Sequence, residues 1–180
     1  MSTRIAPVDP ATTEGQTKEL LNVVKAKFGT VPNAIRTMAH SAAALEGYTS
    51  LNGALAKGVL PKAVREQIAL TVSQANGCEY CLAAHSLTGK FAGLQPDQIV
   101  AARRGKSNDA KAQAVLSLTQ NILERRGNVS DEQLAAARAA GLSDAELVEV
   151  VANVTVMTFT NFLNNVAHTD VDFPKVPATV

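Results

Sequence analysis

The sequence is punctuated throughout by signals that start and stop helices. Ser130-x-x-Gln133 and Ser143-x-x-Glu146 are capping boxes, and Thr13-x-x-Gln16 has the same sequence pattern. In a capping box the first and fourth side chains each bond the other residue's backbone amide, which satisfies donors that a helix start leaves free. No strand alternation flanked by hairpin turns stands out between these signals. The sequence therefore predicts an all-α fold.

The same signals place the individual helices. They are predicted at residues 13–28, 32–39, 41–58, 61–76, 79–90, 96–105, 108–126, from 130 onward, and 143–168. The stretch around Thr155 is rich in Val and Thr, and it is the one place where a strand is a serious alternative. No linker or low-complexity segment divides the chain. We therefore predict one domain over residues 1–180.

The composition argues against nucleic acid and membranes as partners. A net charge of +1 provides no basic surface for nucleic acid, and 4% aromatic residues provide few stacking platforms for bases. The N-terminal stretch MSTRIAPVDPATTEG has no apolar signal core. No apolar run approaches the roughly 18 residues that a membrane span requires. We therefore expect a cytoplasmic protein.

Both cysteines lie in one short motif, Cys78-x-x-Cys81, and His85 follows one helical turn later. Gly77 ends the helix predicted at 61–76, so the cysteines open the next helix. A break this short makes the two helices antiparallel neighbours. On helical spacing, Cys78 is close enough to Cys81 to form a disulfide with it.

Glu66 is predicted to face this cluster across the hairpin. Cys81 and His85 share a helix face at i,i+4. At about 1.5 Å per residue, Glu66 on the preceding helix lies just beyond His85. The order along the seam is thiol, imidazole and carboxylate. This arrangement is typical of a base-activated nucleophile with its orienting group.

At these residues the chain resembles the carboxymuconolactone decarboxylase/alkylhydroperoxidase D superfamily, in its peroxidase-related branch. The segment REQIALTVSQANGCEYCLAAHS carries that superfamily's Glu, Cys-x-x-Cys and following His at Glu66, Cys78, Cys81 and His85. The resemblance implies an AhpD-like helical bundle whose active site is the Cys-x-x-Cys hairpin. It implies that Cys81 is the peroxidatic thiol, that Cys78 resolves it as a disulfide, and that Glu66 and His85 relay protons.

The resemblance also carries expectations about substrate and partners. It implies an organic hydroperoxide as substrate and an external dithiol, such as a lipoyl group on a lipoyl protein, as reductant. The redox-active disulfide then takes the place of a bound cofactor, and the protein is a homo-oligomer, trimeric or hexameric. The similarity extends from TVPNAIRTMAHS to NFLNNVAHTDVDFP. The chain departs from the best-characterised peroxidases at Tyr80, where they have a second His.

Other interpretations of the cluster remain open. Cys78, Cys81, His85 and Glu66 would also supply four ligands to zinc. A lactone decarboxylase-like enzyme shares the fold but does not need the cysteine pair. A redox- or metal-sensing interaction module would use the same dithiol to switch a surface. Because three of the four zinc ligands would sit on one short helix, we predict thiol chemistry and no bound metal.

Two further features have no assigned role. Tyr80 either lines a pocket or packs against a neighbour. A polar stripe on the last helix follows the spacing i, i+3, i+4 and i+7, at Asn161, Asn164, Asn165 and His168. We interpret this stripe as a solvated or subunit-facing surface rather than as the wall of a substrate pocket.

Overall fold

Every regular element in the computed structural model is an α-helix. The structure describes residues 2–180, apart from the side chains of residues 27 and 28, and within those bounds it contains no strand. The helices of this part of the chain are α1 (Gly15–Phe28), α2 (Asn33–Met38), α3 (Ala42–Leu55), α4 (Lys62–Ala75), α5 (Glu79–Phe91), α6 (Pro96–Arg103), α7 (Ala110–Arg125), α8 (Asp131–Ala139) and α9 (Asp144–Ala167). The predicted all-α fold is confirmed, and Thr155 lies inside α9.

Serine side chains cap three helices where the sequence predicts them. Ser41 Oγ accepts a backbone N–H three residues later, and the capping boxes that begin at Ser130 and Ser143 are both closed. The predicted box at Thr13 is wrong, because α1 begins two residues later. The Thr13 hydroxyl donates instead to the Asp9 carbonyl at 2.8 Å. Thr13 thus belongs to the turn before α1, whose N-cap residue is Glu14.

Helix α4 lies at the centre of the bundle, where it packs against α5, α6, α7 and α9. Its residues 67–73 are all buried, and Ile68, Leu70 and Val72 have no exposed surface. A helix that is covered on every side belongs to the interior of a bundle. The main apolar core surrounds it with side chains from α3, α6, α7, α8 and α9. The packing around α4 therefore holds its backbone, and the positions of its side chains, in place.

Helices α4 and α5 form the antiparallel pair that the sequence predicts. Gly77 has a φ of 61°, the left-handed conformation that a residue without Cβ adopts at little cost. Its N–H bonds to the Gln74 carbonyl at 3.2 Å, and the Cys78 N–H bonds to the Ser73 carbonyl at 3.0 Å. These bonds satisfy carbonyl groups that the end of α4 would otherwise leave free. The chain reverses within the turn and lays α5 back along α4.

Helix α9 is long and apolar enough to cross a membrane by length and composition alone. The expectation that no segment reaches this threshold is therefore wrong. The buried residues of α9 include Asn161 and Asn164, whose amides contact Ser73 of α4 and Cys81 of α5. Such amides on a lipid-facing span would not point into a protein core, so one face of α9 belongs to the core of the bundle.

Candidate active site

The two cysteines are bonded to each other at the start of α5. Cys78 is the N-cap residue, its Sγ accepts the backbone N–H of Cys81 at 3.2 Å, and the two Cα atoms lie 5.3 Å apart. A disulfide bridges that separation without moving the backbone. The predicted pairing is confirmed. Both residues are closed off from solvent, since Cys78 has no exposed surface and Cys81 is 3% exposed.

Glu66 and His85 meet across the hairpin, as the helical spacing predicts. His85 Nδ1 lies 2.8 Å from Glu66 Oε2. Because an ionised carboxylate only accepts hydrogen bonds, Nδ1 carries the proton and a neutral imidazole keeps its lone pair on Nε2. Within residues 2–180 no hydrogen bond engages Nε2 or joins the imidazole to the Cys81 sulfur. The imidazole can therefore accept a proton at Nε2, one helical turn from Cys81.

Thr88 is a site residue that the sequence analysis missed. Its hydroxyl donates to Glu66 Oε2 at 2.7 Å, the same oxygen that His85 contacts. The spacing did contain a signal, because Thr88 follows His85 by three residues and so shares its face of α5. The carboxylate is thus fixed by two side chains of the facing helix, which restricts the orientation of the imidazole.

The electrostatic surroundings keep Glu66 ionised. Burial alone raises the pKa of its carboxyl group, but hydrogen bonds from His85 and Thr88, the charge that His85 carries when protonated and the charge of Lys62 outweigh burial and hold the pKa below its usual value. Tyr48 on α3 responds to the same carboxylate: burial first, and then the charge of Glu66, raise the pKa of its phenol to about 12. Tyr48 therefore stays neutral next to an ionised Glu66.

Tyr80 anchors the C-terminal segment, residues 169–180, beside the cysteines. Its hydroxyl donates to Asp172 Oδ1 at 2.8 Å and accepts the Ala34 N–H at 3.1 Å. Its ring meets Phe173 edge-on, with the ring centroids 5.5 Å apart. Burial, reinforced by Asp172 against the opposing effect of the Ala34 N–H, raises the pKa of Tyr80 above its usual value. Of the two alternatives for Tyr80, these contacts are those of a residue packed against its neighbours.

The C-terminal segment covers the disulfide. Near its start, Val171 and Phe173 pack against the cluster formed by Cys78, Tyr80 and Cys81. Near its end, Arg103 Nη2 donates to the carbonyls of Pro177 and Ala178 at 2.6 and 3.1 Å. The segment is therefore tied down on both sides of the site. A reductant reaches the sulfur atoms only after part of this cover moves.

We expect Asp172→Ala to accelerate reduction of the disulfide by dithiothreitol roughly 10-fold. The substitution removes the acceptor of two hydrogen bonds, from the Tyr80 hydroxyl and from the backbone N–H of Asn33, and so makes opening of the segment easier. The rate is measured by titrating the thiols released. Asp170→Ala is the matched control, because the Asp170 carboxylate bonds to Thr3 instead. Equal rates for Asp172→Ala and the parent would show that the segment does not limit access.

The stripe on α9 is only partly a surface feature. Asn161 has no exposed surface and Asn164 is 4% exposed. Asn165 is exposed and His168 is half-buried. The interpretation of the stripe as solvated or subunit-facing is therefore wrong for Asn161 and Asn164. Spacing along a helix shows which residues share a face, but the packing of the whole bundle decides which way that face points.

The asparagines of α9 hold the turn that carries the cysteines. Asn161 Oδ1 accepts from Asn76 Nδ2 at 3.1 Å, and Asn165 Nδ2 donates to the Asn76 carbonyl at 2.8 Å. Asn164 Nδ2 lies 3.4 Å from Cys81 Sγ. The position of the cysteine hairpin therefore depends on α9 as well as on α4.

A cavity of about 180 Å³ lies away from the cysteines, between α4, α6 and α7. It is lined by Thr71, Gln74, Ala75, Arg103, Arg104, Gln120, Leu123 and Glu124. None of the predicted site residues lines it. Over residues 2–180, no group of three or more His, Cys, Asp or Glu side chains is arranged to hold a metal ion.

Comparison with protein families gives a match over the part of the chain that carries the site. Residues 42–121 match the model of the carboxymuconolactone decarboxylase family. The matched region extends from α3 into α7 and includes the whole α4–α5 hairpin. A search of curated proteins gave no match.

Several solved structures share the fold over nearly the whole chain. An uncharacterized peroxidase-related protein from Ralstonia eutropha JMP134, with an alkylhydroperoxidase AhpD core, is 22% identical with a TM-score of 0.85, covering 94% of this chain and 92% of its own. A peroxidase-related protein from Silicibacter sp. TM1040 is 20% identical with a TM-score of 0.78, covering 92% and 91%. The debrominase Bmp8 is 19% identical with a TM-score of 0.79, covering 96% and 94%. These similarities establish an AhpD-like fold.

Proposed function

We propose that this chain, whose residues 42–121 match the carboxymuconolactone decarboxylase family and whose fold is AhpD-like, is a thiol-dependent peroxidase of that superfamily acting on organic hydroperoxides. The observation that carries the proposal is the Cys78–Cys81 disulfide at the start of α5, with the Glu66–His85 pair one helical turn away. A disulfide at that position is the oxidised state of a thiol cycle. The carboxylate–imidazole pair supplies the base that such a cycle needs.

In the first step the reduced protein attacks the substrate. His85 Nε2 accepts the proton of the Cys81 thiol, and Glu66 stabilises the imidazolium that results. The Cys81 thiolate then attacks one oxygen of the hydroperoxide, and the O–O bond breaks. Cys81 becomes a sulfenic acid, and the other oxygen leaves as an alcohol after receiving the proton from the imidazolium.

In the second step the sulfenic acid is resolved. The Cys78 sulfur attacks the Cys81 sulfur, the hydroxyl group leaves as water, and the disulfide forms. An external dithiol then reduces this disulfide by exchange and is itself oxidised. We propose a lipoyl group, carried on a lipoyl protein, as that dithiol. Two electrons pass from the dithiol to the hydroperoxide in each cycle, and no other cofactor takes part.

The test is steady-state consumption of an organic hydroperoxide with a dithiol supplied. We expect turnover that requires both reactants, and a disulfide that opens and re-forms when they are added in sequence, as followed by mass spectrometry after alkylation. A panel of dihydrolipoamide, dithiothreitol and glutathione identifies the reductant class. Protein that cycles its disulfide with the dithiols but consumes no hydroperoxide would contradict the proposal.

Two alternatives have distinct outcomes in the same experiment. A carboxymuconolactone decarboxylase-like enzyme would act on a lactone whether or not the cysteines are reduced. A redox- or metal-sensing module would switch between its two states without turning over any substrate. Because Bmp8 is a debrominase, a brominated pyrrole belongs in the substrate panel as well. Consumption of that compound in place of hydroperoxides would move the assignment to reductive dehalogenation.

The proposal extends to assembly and location. Exposed apolar residues follow one face of α9 at helical spacing, namely Val148, Val151, Phe159, Phe162 and Val166. A long apolar stripe on a surface helix favours contact with another protein surface. We propose that it contributes to a homo-oligomer, a trimer or hexamer, in the cytoplasm. Light scattering counts the subunits directly.

A further inference from the structure

Asn164 places a buried amide against the sulfur of Cys81. Its Nδ2 lies 3.4 Å from Cys81 Sγ, and the residue is 4% exposed. A disulfide sulfur carries no hydrogen, so the amide must act as the donor and the sulfur as the acceptor. The same donor faces the sulfur that would carry negative charge in the reduced protein. Hydrogen bonds to charged acceptors are roughly twice as strong as those between neutral groups.

The other half of this amide is without a partner. Asn164 Oδ1 is buried and accepts no hydrogen bond from residues 2–180. An unmade hydrogen bond in the interior costs free energy, and a buried polar atom of this kind calls for an explanation in function or bound solvent. Here the free acceptor belongs to the same side chain that contacts Cys81. Asn164 Oδ1 is therefore separated from the Cys81 sulfur by no more than the amide group to which it belongs.

The backbone that carries Asn164 is fixed on both sides. Asn161 and Asn165 bond to Asn76 in the turn before the cysteines. These contacts keep α9 in register with the α4–α5 hairpin. The amide of Asn164 is thus presented to the Cys81 sulfur from a rigid element, which is the arrangement that efficient stabilisation of charge requires.

We propose that Asn164 is a further catalytic residue of this site, its Nδ2–H stabilising the Cys81 thiolate and its Oδ1 accepting the O–H of the incoming hydroperoxide. This proposal rests on the proposed function for the identity of the substrate. The thiolate attacks one peroxide oxygen and the alcohol leaves, protonated by the His85 imidazolium. The sulfenic acid that remains has one O–H group, and Asn164 Oδ1 is placed to accept it until Cys78 attacks.

The groups around Cys81 differ in charge, and their roles differ accordingly. On one side of Cys81, His85 and Glu66 handle the proton. On the side of the C-terminal segment, Tyr80 and Asp172 bond to each other. Asn164 approaches from α9 as a neutral donor. It can therefore stabilise the thiolate without adding a charge that would compete with Glu66 for the imidazolium.

The test measures the thiol itself, so that it is independent of any hydroperoxide activity. In a Cys78→Ser background, Asn164→Leu removes both polar atoms at nearly constant volume. We expect the pKa of the Cys81 thiol, measured from thiolate absorbance against pH, to rise by about one unit. Alkylation by iodoacetamide near neutral pH should slow roughly 10-fold for the same reason. Asn164→Ala is the second variant if the leucine disturbs packing.

Asn165→Leu is the matched control, since it loses a bond to the same turn but does not touch the sulfur. Folding of each variant is checked by circular dichroism. Unchanged thiol pKa and alkylation rate in a folded Asn164 variant would overturn the proposal. The thiol pKa could rise while neither the Asn164 variant nor the protein that keeps Asn164 consumes hydroperoxide. In that case the proposed function fails, and the role of Asn164 toward the thiolate stands.

The acceptor role has its own readout. With cumene hydroperoxide as the probe, the rate constant for oxidation of Cys81 is compared at a pH where the thiol is fully ionised in both proteins. We expect Asn164→Leu to remain several-fold slower there, because the contact with the O–H group is also lost. Equal rate constants for the fully ionised thiols would restrict Asn164 to stabilising the thiolate and overturn its contact with the substrate.

Discussion

Replacing Cys81 by serine should lower kcat/KM for an organic hydroperoxide by roughly 10³-fold or more. The serine hydroxyl has nearly the same size as the thiol, but it does not ionise near neutral pH and is a far weaker nucleophile. The environment of the site, including the Glu66–His85 pair, is left in place. The measurement is steady-state turnover with dithiol in excess, with the double variant Cys78→Ser/Cys81→Ser as the baseline.

Cys78→Ser should give a different result from Cys81→Ser. The first oxidation of Cys81 proceeds, so one equivalent of hydroperoxide is consumed in a burst. Without Cys78 no intramolecular disulfide forms, and Cys81 accumulates as sulfenic acid, over-oxidised products or mixed disulfides. Mass spectrometry after a single addition of hydroperoxide distinguishes these species. A Cys78→Ser variant that cycled many times like the parent would contradict the resolving role.

The assignment of roles to the two cysteines follows from two competing effects. Cys78 is the N-cap of α5 and its sulfur accepts the Cys81 N–H, so the helix terminus favours a thiolate there. That effect is typically about 0.3–1 kcal/mol, which is less than one pKa unit. A neighbouring His can lower the pKa of a thiol by several units from about 8.5. We therefore expect the more reactive thiolate at Cys81, one turn from His85.

Glu66→Gln should slow alkylation of the reduced Cys81 roughly 10-fold near neutral pH, by raising the pKa of its thiol. Glutamine keeps an oxygen that can accept from His85 Nδ1 and from Thr88, so the geometry is preserved and only the charge is lost. Without that charge the imidazolium is less stable, and the thiolate that pairs with it forms less readily. Thiolate absorbance against pH in a Cys78→Ser background measures the change.

Thr88→Val is the matched control for Glu66→Gln. It removes one hydrogen bond to Glu66 Oε2 and leaves the charge and the contact with His85 intact. We expect a smaller effect than that of Glu66→Gln. A Glu66→Gln variant with unchanged Cys81 reactivity would show that the carboxylate only stabilises the hairpin.

The pH dependence of stability gives a second check on Glu66. Its pKa is lowered in the folded protein, so its ionised form contributes stability that is fully present above the ordinary value of 4.5 and is lost as the pH falls through the folded pKa. The difference in unfolding free energy between the parent and Glu66→Gln should therefore be largest near neutral pH and shrink in acid. Urea unfolding of both proteins at neutral and at acidic pH measures this difference in free energy.

The α4–α5 hairpin could be predicted from sequence because its geometry is local. Gly77 permits the left-handed turn, and the fixed rise of an α-helix then determines that Glu66 meets His85. The cysteines lie one turn apart on one helix, so their pairing needs no information from elsewhere in the chain. The capping boxes at Ser130 and Ser143 worked for the same reason, since every partner lies within four residues.

The surroundings of the cysteines were decided only by the tertiary structure. The C-terminal segment has no periodicity from which to predict that Asp172 meets Tyr80 or that Phe173 packs beside the cysteines against the Tyr80 ring. Asn164 belongs to a visible pattern, but its contact with Cys81 depends on how α9 is rotated in the bundle. That rotation follows from how α9 packs against α3, α4 and α7. Local spacing therefore determined that the cysteine pair, His85 and Glu66 come together, and packing of the whole chain determined what encloses them.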